Sequence, residues 1–117
     1  MARNSAGDKA EKTTAKKLRK LGIEVSETKV SGAYWNDGDL IVQQFMIDSK
    51  LQEYRANKLI RNLTLKIDEF NKITEQARAY LKRPAMILHN GYGESFVVLR
   101  LDDFAELIEN QNEHTKD

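Results

Sequence analysis

Apolar residues along this chain recur with two different periods, and the switches between them mark out the elements. From Gly7 to Leu21, the residues Glu11, Thr14, Ala15, Leu18, Leu21 and Gly22 return at three- and four-residue steps. That spacing lines one face of a helix, with Gly22 as its stop. Ile23 to Val30 alternates at Ile23 and Val25 and predicts a short strand. The Gly/Ser/Asn/Asp-rich stretch from Ser31 to Gly38 predicts a loop. Asp39 to Lys50 predicts a β-hairpin, Asp-Leu-Ile-Val and Phe-Met-Ile-Asp-Ser-Lys around Gln43-Gln44. Residues 51–66 fit neither period. Asp68 to Lys82 predicts a helix with Phe70, Ile73, Ala77, Tyr80 and Leu81 on one face, ending before Pro84. Two strands follow, Ala85–His89 and Ser95–Leu101, joined by the turn Asn90-Gly91-Tyr92-Gly93. Asp103 with Glu106 resembles a capping box opening a short last helix that carries Phe104, Leu107 and Ile108. The order predicts an α/β fold, a mixed β-sheet of about five strands flanked by helices. It forms a single domain over 1–117, with 1–6 and 111–117 expected to be flexible ends.

The hairpin has a chemical consequence. A turn centred on Gln43-Gln44 pairs Val42 with Phe45, Ile41 with Met46, Leu40 with Ile47 and Asp39 with Asp48. Alternation then puts Leu40, Val42, Phe45, Ile47 and Ser49 on one face. Asp39, Ile41, Met46, Asp48 and Lys50 share the other. Two aspartates directly opposite each other repel. A divalent cation between them would remove that repulsion. Oxygen donors in a chain without cysteine point to Mg²⁺ or Mn²⁺ rather than Zn²⁺. Glu11 shares a helix stripe with Ala15 and Leu18, so a third carboxylate faces inward. Taken singly, Asp39 and Asp48 read better as ordinary turn or strand-end aspartates, and Glu11 also suits the exposed first turns of a helix. The inward Glu11 and the same-face Lys50 favour the metal reading.

Composition adds less than its distribution. The chain has 117 residues with 19 Lys/Arg and 18 Asp/Glu, a formal net charge of +1. A near-neutral total argues against a nucleic-acid partner. Residues 1–83, however, hold 17 Lys/Arg against 11 Asp/Glu, a net of +6, and the remainder has a net of −5. Lys9, Lys12, Lys16, Lys17, Arg19 and Lys20 form one basic group. Lys50, Arg55, Lys58, Arg61 and Lys66 form a second. Such clusters suit phosphate, or simply solvate a helix face. Tyr34 and Trp35 suit base stacking or packing over the hairpin. The absence of cysteine excludes a disulfide scaffold and a thiolate nucleophile and fits a reducing cytoplasm. No apolar run is long enough to cross a membrane, and no signal peptide is visible. His89 and His114 lack a partner that would make either a ligand pair or a triad.

The ordered set Gly7…Glu11, Ser31-Gly32-Ala33, Gly38-Asp39 and Asp48-Ser49-Lys50 resembles the PD-(D/E)XK nuclease superfamily. The likeness is to its small Holliday junction resolvase-like branch and runs from about Gly7 to Ile108. Gly38 stands where the pattern has proline, and Asp48 where resolvases commonly have glutamate. The resemblance implies a restriction-endonuclease-like core and metal-dependent hydrolysis of phosphodiester bonds in branched DNA by a homodimer. It implies Asp39, Asp48 and the Ser49 backbone carbonyl as Mg²⁺ ligands (Mn²⁺ also fits), Glu11 completing the acidic cluster, and Lys50 activating water and stabilising phosphorane charge. Lys9, Lys12, Lys16, Lys17, Lys20, Ser31, Arg55, Lys58 and Arg61 would contact DNA. A restriction-like or nicking nuclease of the same fold is the second expectation. A non-catalytic nucleic-acid-binding module, or an interaction protein with an acidic C-terminus, are those of another class.

Overall fold

The computed structural model describes residues 6–27, 39–52 and 62–115. In chain order the elements are α1 (Ala6–Lys20), β1 (Ser26–Glu27), β2 (Leu40–Val42), β3 (Phe45–Leu51), α2 (Ile67–Ala79), β4 (Arg83–His89), β5 (Ser95–Leu99) and α3 (Leu101–Thr115). The strands form one mixed five-stranded sheet in the order β1-β2-β3-β4-β5. All pairs are antiparallel except β3 with β4. A parallel neighbour requires a crossover, and the segment containing α2 supplies it. The α/β class with helices on the faces of the sheet is the one expected.

The hairpin register is the one that alternation predicts: Val42 faces Phe45, Ile41 faces Met46 and Leu40 faces Ile47. Gln43-Gln44 makes the two-residue turn although neither is glycine, and Gln43 takes a left-handed φ of 54° to do so. Alternation then sorts two cores. On one face Leu40, Ile47, Ala85 and Ile87 pack with Val25 and with Ala15 of α1. On the other, Met46, Met86 and Leu88 pack with Phe70, Ile73 and Ala77 of α2. Pro84 sits in β4 without disrupting it. The Arg83 N–H donates to Gln44 on the β3 side, so the Pro84 nitrogen points towards β5, one residue before that ladder begins at Ala85.

Several boundaries differ from the sequence expectation. Leu21 closes the predicted apolar stripe of α1 but is 74% exposed, because the helix has already ended at Lys20. The strand predicted over 23–30 is two residues long in the described part, although Val25 is buried as expected. Tyr80 and Leu81 lie beyond the end of α2 and outside its core. Leu81 adopts φ 57° and is 93% exposed. Leu101 opens α3 instead of ending β5, and α3 runs fifteen residues to Thr115 rather than stopping short. Asp103 and Glu106 do not cap that helix. Both bind Arg83 of β4 at 2.6 Å, so a long-range ion pair replaces the local box. Phe104 and Ile108 remain largely exposed.

Candidate active site

The β2–β3 hairpin brings the predicted acids together. Asp39 immediately precedes β2, and one further step along the Leu40–Ile47 register sets it against Asp48. Asp39 is buried. Burial, reinforced by the negative charges of Asp48 and then Glu11, pushes its carboxyl up from 3.8 to about 7, with Lys50 pulling the other way. Burial likewise raises the Asp48 carboxyl, opposed first by Lys50. The Lys50 Nζ lies 3.5 Å from Asp48 Oδ2 and 3.8 Å from Glu69 Oε2, so it bridges β3 and α2. Glu69 was not among the sequence candidates. Its only signal was a place in the first turn of the helix that covers the Asp48 face.

These couplings make Glu11, Asp39, Asp48 and Lys50 one electrostatic unit drawn from α1, the start of β2, and β3. Among the described residues, no three or more His, Asp or Glu side chains are arranged as a ready metal-holding group. Glu11 adds to the negative charge that acts on Asp39. Mg²⁺ does not require an all-protein cage. It is commonly held by one or two carboxylates together with substrate phosphate and water. Asp39 and Asp48 meet that requirement, since two closely coupled carboxylates in a buried setting gain most from a cation.

Ser49 occupies the middle of Asp48-Ser49-Lys50, and its side chain points to the α1 face. There its Oγ lies 2.8 Å from Thr14 Oγ1. The Gln52 N–H donates to His89 of β4, so backbone groups of the even-numbered residues of β3 face β4. Those of Ser49 face the other way, towards β2 and the Asp39 end of the hairpin.

Four of the predicted DNA-contacting lysines, Lys9, Lys12, Lys16 and Lys20, are exposed on α1. Lys12, Lys16 and Lys20 line a shallow cleft of about 550 Å³ with Arg19 and Glu27. Lys17 differs from them. Its ammonium is turned inward, donating to the Gly93 carbonyl at 2.8 Å and to Ser95 Oγ at 2.7 Å. Ser31, Arg55, Lys58 and Arg61, with Tyr34 and Trp35, lie outside the described residues. His89, set aside on sequence, is a buried node. Its Nε2 lies 2.7 Å from Thr14 Oγ1, and its Nδ1 lies 2.6 Å from Ser95 Oγ. Burial, and then the Lys17 charge, lower its pKa.

No family model, no curated protein and no solved structure matches the chain. No helix of the described residues is long and apolar enough to cross a membrane.

Proposed function

We propose that the protein is a metal-dependent DNA endonuclease, hydrolysing phosphodiester bonds in branched DNA in the manner of the Holliday junction resolvase-like branch of the PD-(D/E)XK nucleases. One observation supports this reading above the rest. A buried Asp39, raised to about 7 by its surroundings and by Asp48 and Glu11, stands beside a lysine held in place by Asp48. A buried carboxylate coupled to a partly buried one is costly to keep without a counter-charge, and groups perturbed in this way cluster at functional sites. A non-catalytic binder of phosphate gains nothing from carboxylates placed there.

In this reading Asp39 and Asp48 hold Mg²⁺, or Mn²⁺, with the Ser49 carbonyl as a further oxygen donor. The ion, when bound, supplies Lewis-acid stabilisation of the phosphate and lowers the pKa of water. The remaining work belongs to the chain. Asp48 and Glu69 restrict the Lys50 ammonium to the mouth of the site, where it orients the attacking water and meets negative charge developing on the phosphorane. Glu11 raises the negative potential at Asp39 and so favours the cation. Lys12, Lys16 and Lys20 on α1 engage DNA phosphates beside the site, and Lys9 extends that row. Replacing Lys12 and Lys16 together with alanine should weaken DNA binding and flatten its log–log salt dependence by about two units. An unchanged slope, measured by fluorescence anisotropy, would exclude this face.

A four-way junction carries two symmetry-related scissile positions, which a two-fold homodimer would engage together. β5 is an edge strand without lysine or proline, and it exposes Phe96 and Val97, the pattern of an edge that pairs with another strand. A second copy of this chain, pairing edge to edge, fits it. A sedimentation mass of one chain at micromolar concentration would remove the dimer from the reading.

The deciding experiment incubates the protein with labelled four-way junction, linear duplex and single strand, with and without Mg²⁺. Paired nicking of the junction, dependent on the ion, is expected. Cutting of linear duplex alone would assign a restriction-like or nicking role. Tight binding with no cleavage under any divalent ion would leave a binding module.

A further inference from the structure

Between α1 and the sheet, on the face opposite Asp48 and Lys50, runs a chain of buried and part-buried polar contacts that the roles above do not use. It links Lys17 Nζ, Ser95 Oγ, His89 Nδ1, His89 Nε2, Thr14 Oγ1 and Ser49 Oγ in steps of 2.6–2.8 Å. Thr14, Ser49 and His89 are each almost wholly buried.

The chain has a direction, and donor chemistry sets it. Two groups have fixed roles: the Lys17 ammonium only donates, so Ser95 Oγ accepts from it, and the Ala10 carbonyl only accepts, so the ring nitrogen on the α1 side, Nε2, carries the hydrogen. Nδ1 is then an acceptor, and Ser95 turns its own hydrogen to it. The imidazole, kept neutral by burial and by the adjacent Lys17 charge, carries its hydrogen on Nε2. That hydrogen faces Thr14 Oγ1 and the backbone carbonyl of Ala10. Thr14 Oγ1 and Ser49 Oγ close the relay, where either hydroxyl can donate to the other.

We propose that Lys17, Ser95, His89 and Thr14 form a directional hydrogen-bond relay that positions Ser49, and with it the Asp48-Ser49-Lys50 segment, against α1. The relay ties together four elements, α1, β3, β4 and β5, of which α1 and β3 carry residues of the site. Glu11 lies one helical turn before Thr14, so the register that fixes Thr14 on Ser49 also fixes Glu11 against Asp39. Ser49 lies between Asp48 and Lys50, so rotation about its backbone would move both. This assignment rests on the nuclease reading for what is positioned, but not for the relay itself. All four are positioning residues.

Two measurements on DNA-free protein test it. The first is ¹⁵N NMR of the imidazole nitrogens near neutral pH. His89 should be the Nε2–H tautomer, and Lys17→Met should shift it towards a mixture by removing the donor that orients the Ser95 hydroxyl. The second is Mn²⁺ titration. Thr14→Val should weaken Mn²⁺ binding roughly ten- to a hundredfold, and Thr14→Ser should restore it to within about threefold of the parent. In the cleavage assay, Thr14→Val should raise the Mg²⁺ needed for half-maximal rate and lower kcat while leaving KM for the junction unchanged. An Nδ1–H tautomer in the unaltered protein would overturn the relay. So would a folded Thr14→Val variant with unaltered Mn²⁺ affinity. Should the unaltered protein cut no DNA with any divalent ion, the nuclease reading falls, while the tautomer and the Mn²⁺ titration still decide for or against the relay.

Discussion

Lys50→Ala is expected to lower the rate of junction cleavage by roughly 10²- to 10³-fold, the range seen when one preorganised donor to a transition state is removed. Metal-free DNA binding should change little, because the lysine row of α1 supplies phosphate contacts independently. The size of the effect comes from two sources. Lys50 is restrained by Asp48 at 3.5 Å and Glu69 at 3.8 Å, so its charge is aimed before substrate arrives. It also holds down the Asp48 carboxyl, which burial otherwise raises. Without Lys50, Asp48 holds its proton to higher pH and competes less well for a cation. The variant should therefore need more Mg²⁺ as well as turn over more slowly. Asp48→Ala should abolish cleavage through loss of the carboxylate itself. A Lys50→Ala protein that cuts at close to the parent rate would show that the site assignment is wrong.

The hairpin was legible because two independent signals agreed. Apolar residues alternate on both arms, and a one-residue slip would have turned Leu40 and Ile47 out of the core. The coupling of Asp39 to Asp48 followed from that register alone. The ends of elements were not legible. Leu81 continues the helical stripe in the sequence, but the chain leaves α2 through a left-handed residue at that position, and periodicity does not encode where a helix stops. Asp103 and Glu106 looked like a cap because the local spacing allowed it. The partner that engages them, Arg83, lies 20 residues upstream of Asp103.

The Thr14–His89 pair was hidden for a similar reason. Its partners are 75 residues apart and share no spacing rule. Only alternation offered a hint. It places Ser49 on the inner face with Ile47, and in β4 it places His89 there with Ile87. Two polar side chains on a buried face must find partners, and α1 supplied them through Thr14, on the stripe with Glu11 and Ala15. Lys17 shows the opposite failure. Its place in a basic run suggested solvent and phosphate, yet its ammonium is spent on Gly93 and Ser95.

Asp39→Asn should make the metal-free protein more stable at about pH 8 by about 2 kcal/mol, while removing its response to Mg²⁺. An acid whose pKa is higher folded than unfolded binds more protons in the folded state across the interval between the two values. Stability therefore falls as pH rises through that interval, here from 3.8 to about 7. The full interval corresponds to a ceiling of about 4 kcal/mol, of which relaxation around a charged Asp39 returns a part. Asp48 contributes in the same direction, so the variant should lessen the slope without abolishing it. His89 contributes with the opposite sign. Its lowered pKa costs stability on acidification below 6.5, and this cancels when the parent and the variant are compared at each pH. Urea unfolding at several pH values, in chelator, reads the difference directly. The gap between the two proteins should be small at about pH 4 and full by about pH 8. Mg²⁺ should then stabilise the parent at the higher pH by mass action and leave Asp39→Asn unmoved. A parent–variant gap in chelator that is the same at about pH 4 and about pH 8, or an Asn variant that Mg²⁺ still stabilises, would mean that Asp39 is not the carboxylate that the cation relieves.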